Sequence, residues 1–367
     1  MKVLIDARSL GRKPSGIGMY IYNFVDELAK ESEWDVRLLT DVVESSEMKK
    51  LQEDRGIKIY SFGKPVGKNI KIREYFRFIQ KKIHEVKPDL FWEGNNLIPV
   101  RVQNPYGKIA TTIYDMFPLS MPDCYGKIYP IYFRYGIYQT LKTADFLIYI
   151  SEETKRETER YFPKAREKHN ILSYIIMKTP AETEISDEGY FLYVGNLEKR
   201  KGTDLLLKAY REYRLEGGQK KLVLAGKMRE DIIRELYEDI NDEAGGIEYL
   251  GYVSEEEKNR LMAKCSCFLF PSRAEGFGMP IVEAMSYGKP IVAAKLSIYR
   301  ELFDDAIEYV TLGESSETVR QLCEKMKQYD RGEIQTKKYD EIITRYSAQN
   351  LSQRVRQHIM HEVQEGI

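Results

Sequence analysis

The sequence predicts an α/β protein built from two doubly wound parallel-sheet halves joined by a short linker. Three observations predict it. Short apolar runs alternate with stretches of helical period, the pattern of strands joined by crossover helices. The rhythm breaks once, between Ser173 and Gly189, and then restarts. The chain of 367 residues is long enough for two cores at about 150 residues per domain. The expected division is 1–175, 176–347 and a terminal helical segment, 348–367.

In the first half KVLI opens as a buried strand, GRKPSGIG makes a glycine turn, and MYIYNFVDELAK has helical apolar spacing. WDVRLLT and IKIYSF follow as strands. IREYFRFIQKKIHEVKP is an amphipathic helix stopped by Pro88. DLFWEG, KIATTIYD and ADFLIYIS are further strands, each closing on a polar or glycine turn. Ser173 to Gly189 is polar, contains Pro180 and several acids, and reads as a linker. In the second half YFLYVG is a strand, NLEKRKG a loop, and TDLLLKAYREYRLEG a helix with Thr203 or Asp204 near its cap. KLVLAG, IEYLGYV, CSCFLFPS and PIVAA are strands. SEEEKNRLMAKC is a helix with Ser254 as N-cap and Glu257 at N3, a capping box. The final stretch, AQNLSQRVRQHIMHEVQ, is helical.

Composition narrows the function classes. Lys+Arg and Asp+Glu number 57 each, so no global field draws the chain to nucleic acid. Cys124, Cys265, Cys267 and Cys323 read as reduced core thiols, and no metal site is expected. The N-terminal apolar run meets Asp6 and Arg8 too soon for a signal peptide, and no stretch of about 18 apolar residues could span a membrane. These features lead to the expectation of a cytoplasmic protein. Tyrosine is abundant, with 27 residues.

The densest chemistry lies in RAEGFGMPIVEAMSYGKPIV. Glu275 and Glu283 stand eight positions apart around two glycines and a proline. Pro280 suits the first helical position and Gly288 the position after the helix end. The expected helix therefore begins at GMP, with Glu283 in its first turn and the N–H groups of Gly278 to Ile281 facing outward as an anion site. Gly276 and Gly278 let a ligand approach the backbone. A phosphate there would have a carboxylate on either side. Carboxylates repel phosphate but accept hydrogen bonds from hydroxyls, and a ligand with hydroxyls on both sides of a diphosphate is a nucleotide sugar. Lys199, Arg200 and Lys201 supply the cations a leaving diphosphate requires. Alone, Glu275 could be a solvated loop acid and Glu283 a helix-dipole acid. A pair of carboxylates also suits glycoside hydrolysis, but a glycine loop at a helix start suits phosphate better.

EGFGMPIVE resembles the E-x7-E signature of family 4 retaining glycosyltransferases, which have the GT-B fold, two Rossmann-like domains facing a cleft. The resemblance extends to IDARSLGRKPSGIGMY, YVGNLEKRKGTDLLLKAY, YLGYVSEEEKNRLMAKCSCFLFPS and EAMSYGKPIVAA, and so to essentially the whole chain. It implies that Glu275 binds donor-sugar hydroxyls and Glu283 the ribose. Phe277, Gly278 and Met279 would offer N–H groups to sugar and phosphate. Arg200 and Lys201 would hold the diphosphate, and Gly16 and Gly18 would shape a loop near it. The base would lie near Lys227 and Gly251 to Val253. The last helix, from about Ala348, would cross back to the first domain. The anomeric configuration would be retained, with the leaving phosphate oxygen taking the acceptor proton. The four histidines, His84, His169, His358 and His361, fall in no catalytic motif. The Arg200–Lys201 pair resembles the subgroup that acts on bacterial surface polysaccharides, often as mannosyltransferases. No cofactor or metal is implied beyond the nucleotide-diphosphate sugar, and the acceptor would be a glycan or a lipid-linked glycan.

The chain departs from the family pattern at Tyr114–Asp115, where relatives often carry His-Asp. A Tyr there predicts either altered donor-sugar choice, a 6-deoxy sugar among the options, or a neutral change with the backbone making the contact. A second departure is Asn196, an Arg in many relatives. Lys64 to Lys87 holds eight Lys/Arg against two acids, and the aromatic stretch around 123–143 has few acids. Both suit either a peripheral membrane contact at the inner membrane face or, respectively, an ordinary amphipathic helix and a sugar-stacking cleft. Two other readings stay open. An epimerase-like GT-B enzyme would turn over a nucleotide sugar without acceptor, and a non-catalytic partner of another transferase would have lost motif residues.

Overall fold

The computed structural model describes residues 1–14, 16–66, 72–175, 177, 183–229, 246–335 and 337–364. The chain divides into two compact units, one formed by Met1–Lys178 with Tyr346–Ile367 and the other by Thr179–Arg345.

The first unit holds a seven-stranded sheet. Its strands are β1 (Lys2–Asp6), β2 (Asp35–Thr40), β3 (Lys58–Ser61), β4 (Leu90–Glu93), β5 (Lys108–Ile113), β6 (Phe146–Tyr149) and β7 (His169–Leu172). They run parallel in the order β3-β2-β1-β4-β5-β6-β7. Strands buried on both faces must be apolar throughout, and Leu4, Phe91, Ile113 and Leu147 are all sealed. The helix Ile72–Val86 lays Tyr75, Ile79 and Ile83 on this core, the i, i+4, i+8 stripe its sequence displays. The terminal helix Ala348–Gln364 belongs to the same unit. It buries Leu351, Val355 and Ile359, and its Arg356 Nη1 lies 2.9 Å from Glu31 Oε1.

The second unit holds a six-stranded parallel sheet. Its strands are β8 (Tyr190–Val194), β9 (Lys221–Ala225), β10 (Ile247–Gly251), β11 (Cys267–Phe270), β12 (Ile291–Ala294) and β13 (Glu308–Val310), in the order β10-β9-β8-β11-β12-β13. In both sheets the winding direction reverses once, between β1 and β4 and between β8 and β11. Such reversals leave a crevice beyond the carboxyl ends of the strands.

Strands β7 and β13 have no counterpart in the sequence reading. Both are edge strands, and their sequences, HNIL and EYV, are short and mixed because an edge does not demand two-sided burial. Of the expected linker, 176 and 178–182 lie outside the described residues, as do 67–71 of the basic stretch. Ser254 caps its helix as expected, its Oγ accepting from the Glu257 N–H at 3.1 Å, but the Glu257 carboxylate turns to Arg260 instead of closing a capping box.

Candidate active site in the second unit

The loops after β8 and β11 leave the sheet side by side at the reversal, and they are laced together. The Arg273 N–H donates to the Arg200 carbonyl at 2.8 Å, and Arg200 Nη1 donates to the Ala274 carbonyl at 3.0 Å. Arg273 also grips both oxygens of Asp204, at 2.6 and 2.8 Å. Gly202 makes the approach feasible. Its φ is +70°, and a Cβ there would lie 2.0 Å from the Pro271 carbonyl oxygen.

This lacing brings Glu275 to Lys201. Lys201 Nζ donates to Glu275 Oε1, and Ser272 Oγ donates to the same oxygen at 3.0 Å. The two side chains are only 16% and 9% exposed, so the pair is shielded from water while still reachable. The sequence suggested cations held ready for diphosphate, but here they already have carboxylate partners. Arg200 Nη2 lies 2.6 Å from Glu198 Oε1, and the other Glu198 oxygen takes Arg229 at 2.9 Å. Buried Glu198 was not singled out in the sequence, because its charge sits inside a run that reads as basic.

The helix Met279–Ser286 starts on Gly278, whose φ is +98°. A Cβ at Gly278 would meet the Tyr299 ring at 2.7 Å. Gly278→Val is therefore expected to cost about 1–3 kcal/mol of stability through strain at this φ, and to weaken nucleotide binding beyond what the fall in Tm explains. A Tm within a degree of wild type would refute it. Three details differ from expectation. Pro280 is the second helical residue, not the first. The Ile281 N–H is spent on the Gly278 carbonyl at 2.9 Å. Glu283 sits past the first turn. The outward donors thus reduce to the N–H groups of Gly278 and Met279, because Pro280 has none. Phe277 is buried. Gly288 has the expected left-handed φ of +64°.

Glu283 has a partner the sequence did not reveal. Lys258 Nζ lies 2.8 Å from Glu283 Oε1 and 2.8 Å from Glu255 Oε2. Burial works to lower the Lys258 pKa, yet the two carboxylates outweigh it and hold the ammonium charged. Lys258 and Glu283 are 25 residues apart and meet only through the fold. Lys258→Met should remove the contact that orients Glu283 and weaken nucleotide binding about tenfold, or about 1.4 kcal/mol. Calorimetric titration that gives an unchanged Kd would show Lys258 to be a bystander. Nearby, Val253 is half-buried after β10, and Lys227 Nζ stands 5.4 Å from the centre of the exposed Tyr252 ring.

The remaining expected residues belong to the first unit. Gly16 and Gly18 form the first turn of the helix Gly16–Leu28 and not a loop. At Gly18 a Cβ would collide with the Ser9 carbonyl oxygen at 2.4 Å, so this glycine serves packing; Gly16 is exposed with open space around it. Tyr114 is corrected more strongly. Its side chain is buried, its hydroxyl donates to the Gly94 carbonyl at 3.0 Å, and its ring meets Tyr20 edge-on at 5.3 Å. An interior ring cannot read a donor sugar directly, which leaves the neutral-change alternative. Asp115 Oδ1 accepts from the Phe117 N–H at 3.1 Å.

Two parallel-sheet units, with carboxylate–lysine pairs at the second sheet's reversal, give the two-Rossmann GT-B architecture. Residues 177–345 match the family model described as glycosyl transferases group 1. It is 27% identical to the O-antigen chain mannosyltransferase B of Escherichia coli over 330 residues, 83% of this chain and 85% of that one. It is 24% identical to the O-antigen chain mannosyltransferase RfbU of Salmonella typhimurium over 54% of this chain and 55% of that one. The fold superposes on Anabaena Alr3699/HepE, solved with UDP and glucose, with a TM-score of 0.75 at 19% identity, covering 98% of this chain and all of the other.

Proposed function

We propose that this glycosyltransferase moves a hexosyl or deoxyhexosyl unit from a nucleotide-diphosphate sugar to a glycan or lipid-linked glycan in cell-surface polysaccharide assembly, with retention and without a metal. The observation that carries the proposal is the convergence of two carboxylate–lysine pairs, Glu275–Lys201 and Glu283–Lys258, around the start of one helix at a sheet reversal. Glu283 would take the ribose hydroxyls and Glu275 those of the sugar. The N–H groups of Gly278 and Met279 would take diphosphate oxygens, with Val253 beside the base. When an anionic diphosphate arrives, Arg200 and Lys201 can share their charge between it and their carboxylates. The O-antigen mannosyltransferase relatives make a mannosyl donor the first to try, and the UDP-bound neighbour makes a uridine donor the second.

The membrane reading also belongs here. The helix Tyr129–Thr143 and its approach expose Ile128 (82%) and Ile131 (72%) beside Lys127 and Arg134. An apolar ridge flanked by cations suits the surface of an anionic bilayer. No described helix is long and apolar enough to cross a membrane, so such contact would be peripheral, at the cytoplasmic face.

Thermal unfolding against GDP, UDP, dTDP and ADP, then their sugar conjugates, tests the donor. A ligand at about 100 times its Kd stabilises the native state by roughly 2.7 kcal/mol. One base should raise Tm clearly in the wild type and not in Glu283→Ala. If millimolar concentrations of all four leave Tm unmoved, the nucleotide-sugar reading is lost.

A further inference from the structure

In the candidate active site one carboxylate serves two guanidiniums. Glu198 follows β8, and its side chain is only 6% exposed. Its Oε1 accepts from Arg200 Nη2 at 2.6 Å and its Oε2 from Arg229 Nη1 at 2.9 Å. The backbone pins both partners of the second bond. The Glu198 N–H donates to Thr203 Oγ1 at 3.1 Å, at the start of the helix Thr203–Leu215. Arg229 follows β9, the neighbour of β8 in the sheet. Its N–H donates to the Leu197 carbonyl at 3.0 Å, and the Leu197 N–H donates to the Lys227 carbonyl at 2.8 Å. The loops after β8 and β9 thus run side by side, as those after β8 and β11 do. Arg229 enters the Arg200–Ala274 lacing from the side opposite β11.

The ratio of charges sets this cluster apart from an ordinary ion pair. In the first unit Arg8 lies between two buried carboxylates, its Nε 2.9 Å from Asp6 Oδ2 and its Nη2 3.6 Å from Glu93 Oε1. The surplus there is negative, and a carboxyl removes it by taking a proton. Around Glu198 the surplus is positive. Arg200, Arg229 and Lys201 share two carboxylates, Glu198 and Glu275. A guanidinium does not give up its proton near neutral pH, so this surplus persists and stands ready for an anion. The two arginines are not held alike. Arg200 is 16% exposed, and its Nη1 is spent on the Ala274 carbonyl. Arg229 is 58% exposed, and Glu198 takes only its Nη1. Its Nε and Nη2 make no hydrogen bond among the described residues. Arg229 thus has an edge of its guanidinium to offer a phosphate, where Arg200 has both ends engaged.

We infer that Arg229 is a third phosphate-binding cation of the donor site, beside Arg200 and Lys201, and that Glu198 is the positioning residue that aims it. The inference rests on the proposed function, in which a nucleoside diphosphate leaves from this site. Without Glu198, Arg229 is a long side chain on an exposed loop, and stilling it costs rotamer freedom at the moment of binding. With Glu198 that ordering is complete before the ligand arrives. The terminal phosphate is the anion concerned. The Glu198–Arg200 link runs on to Ala274 and so to Glu275, the side that the sugar takes under that function.

Calorimetric titration at fixed salt with GDP, UDP, dTDP and ADP, each beside its monophosphate, tests it. For whichever diphosphate the wild type binds, Arg229→Met should raise Kd at least tenfold and remove most of its advantage over the monophosphate. The Tm of the free protein should hold, because an ion pair made by a largely exposed arginine contributes little to stability. Glu198→Gln keeps the shape of the side chain and drops its charge, and should cost at least as much affinity. The double variant Glu198→Gln/Arg229→Met should then bind no more weakly than Glu198→Gln alone, since residues that act as a unit do not add. An unchanged Kd in Arg229→Met would overturn the inference, as would equal losses for diphosphate and monophosphate. Losses that simply add in the double variant would overturn the positioning role of Glu198. A wild type that binds none of the four diphosphates would instead sink the proposed function itself, so the two failures are told apart.

Discussion

Glu275→Gln is expected to lower kcat by about 10²–10³-fold, or about 2.7–4 kcal/mol, the loss seen when one preorganised polar contact to a transition state is removed. The carboxylate faces Lys201 and Ser272 in a nearly dry setting, where electrostatic interactions count for more than in water. Gln keeps the shape and one acceptor oxygen but abolishes the charge. Lys201 then loses its counter-charge, and, under the proposed function, the hydroxyls of the bound sugar lose their strongest acceptor. Nucleotide binding should survive, because the Glu283–Lys258 pair is separate. The expected pattern is therefore a collapse of kcat with a nucleotide-induced Tm rise close to wild type. A kcat within tenfold of wild type at saturating donor would remove Glu275 from the reaction. Loss of the Tm rise would mean that it organises the whole loop instead.

The repeated strand–helix rhythm and the Glu275–Glu283 motif were legible because each is local. A two-sided buried strand such as KVLI or CFLF must be apolar throughout, and a helix started by Gly278 and followed by Gly288 announces its ends. What stayed hidden is what folding brings together from a distance. Lys258 lies within a helix that reads as ordinary charged surface, and only the crossing of two helices gives it Glu283. Tyr114 shows the reverse error. A polar residue in a motif position suggested contact with ligand, but its ring closes the core against Tyr20. Edge strands β7 and β13 were missed because half-exposed edges carry no apolar run. The buried charges of the first unit were passed over for another reason. Asp6 and Arg8 follow a strand and resemble an ordinary polar turn, while Glu93 lies 87 positions beyond Asp6. Nothing short of the β1–β4 pairing makes them neighbours.

That cluster sets up the second large effect. Arg8→Met is expected to destabilise the protein by about 3–5 kcal/mol, as removal of one partner from a buried ionic group does. The pH dependence tells this cause from lost packing. In the wild type, burial raises the Glu93 carboxyl well above its ordinary value of 4.5, Asp6 raises it further, and Arg8 pulls it partly back. Asp6 is likewise raised by burial against the pull of Arg8. A carboxyl raised on folding takes up a proton as the chain folds. Its stabilising share is full below the unfolded value and is lost as pH climbs through the folded one. Without Arg8 both carboxyls rise further, so the loss extends to higher pH and grows steeper. Arg8→Met should therefore lower Tm far more at pH 8 than at pH 5. Adding Glu93→Gln removes one of the two titrating groups and should recover part of the loss at pH 8, with little change at pH 5. Equal falls in Tm at both pH values would mean that the packing of Arg8 on the Tyr75 ring, and not its charge, holds this part of the sheet together.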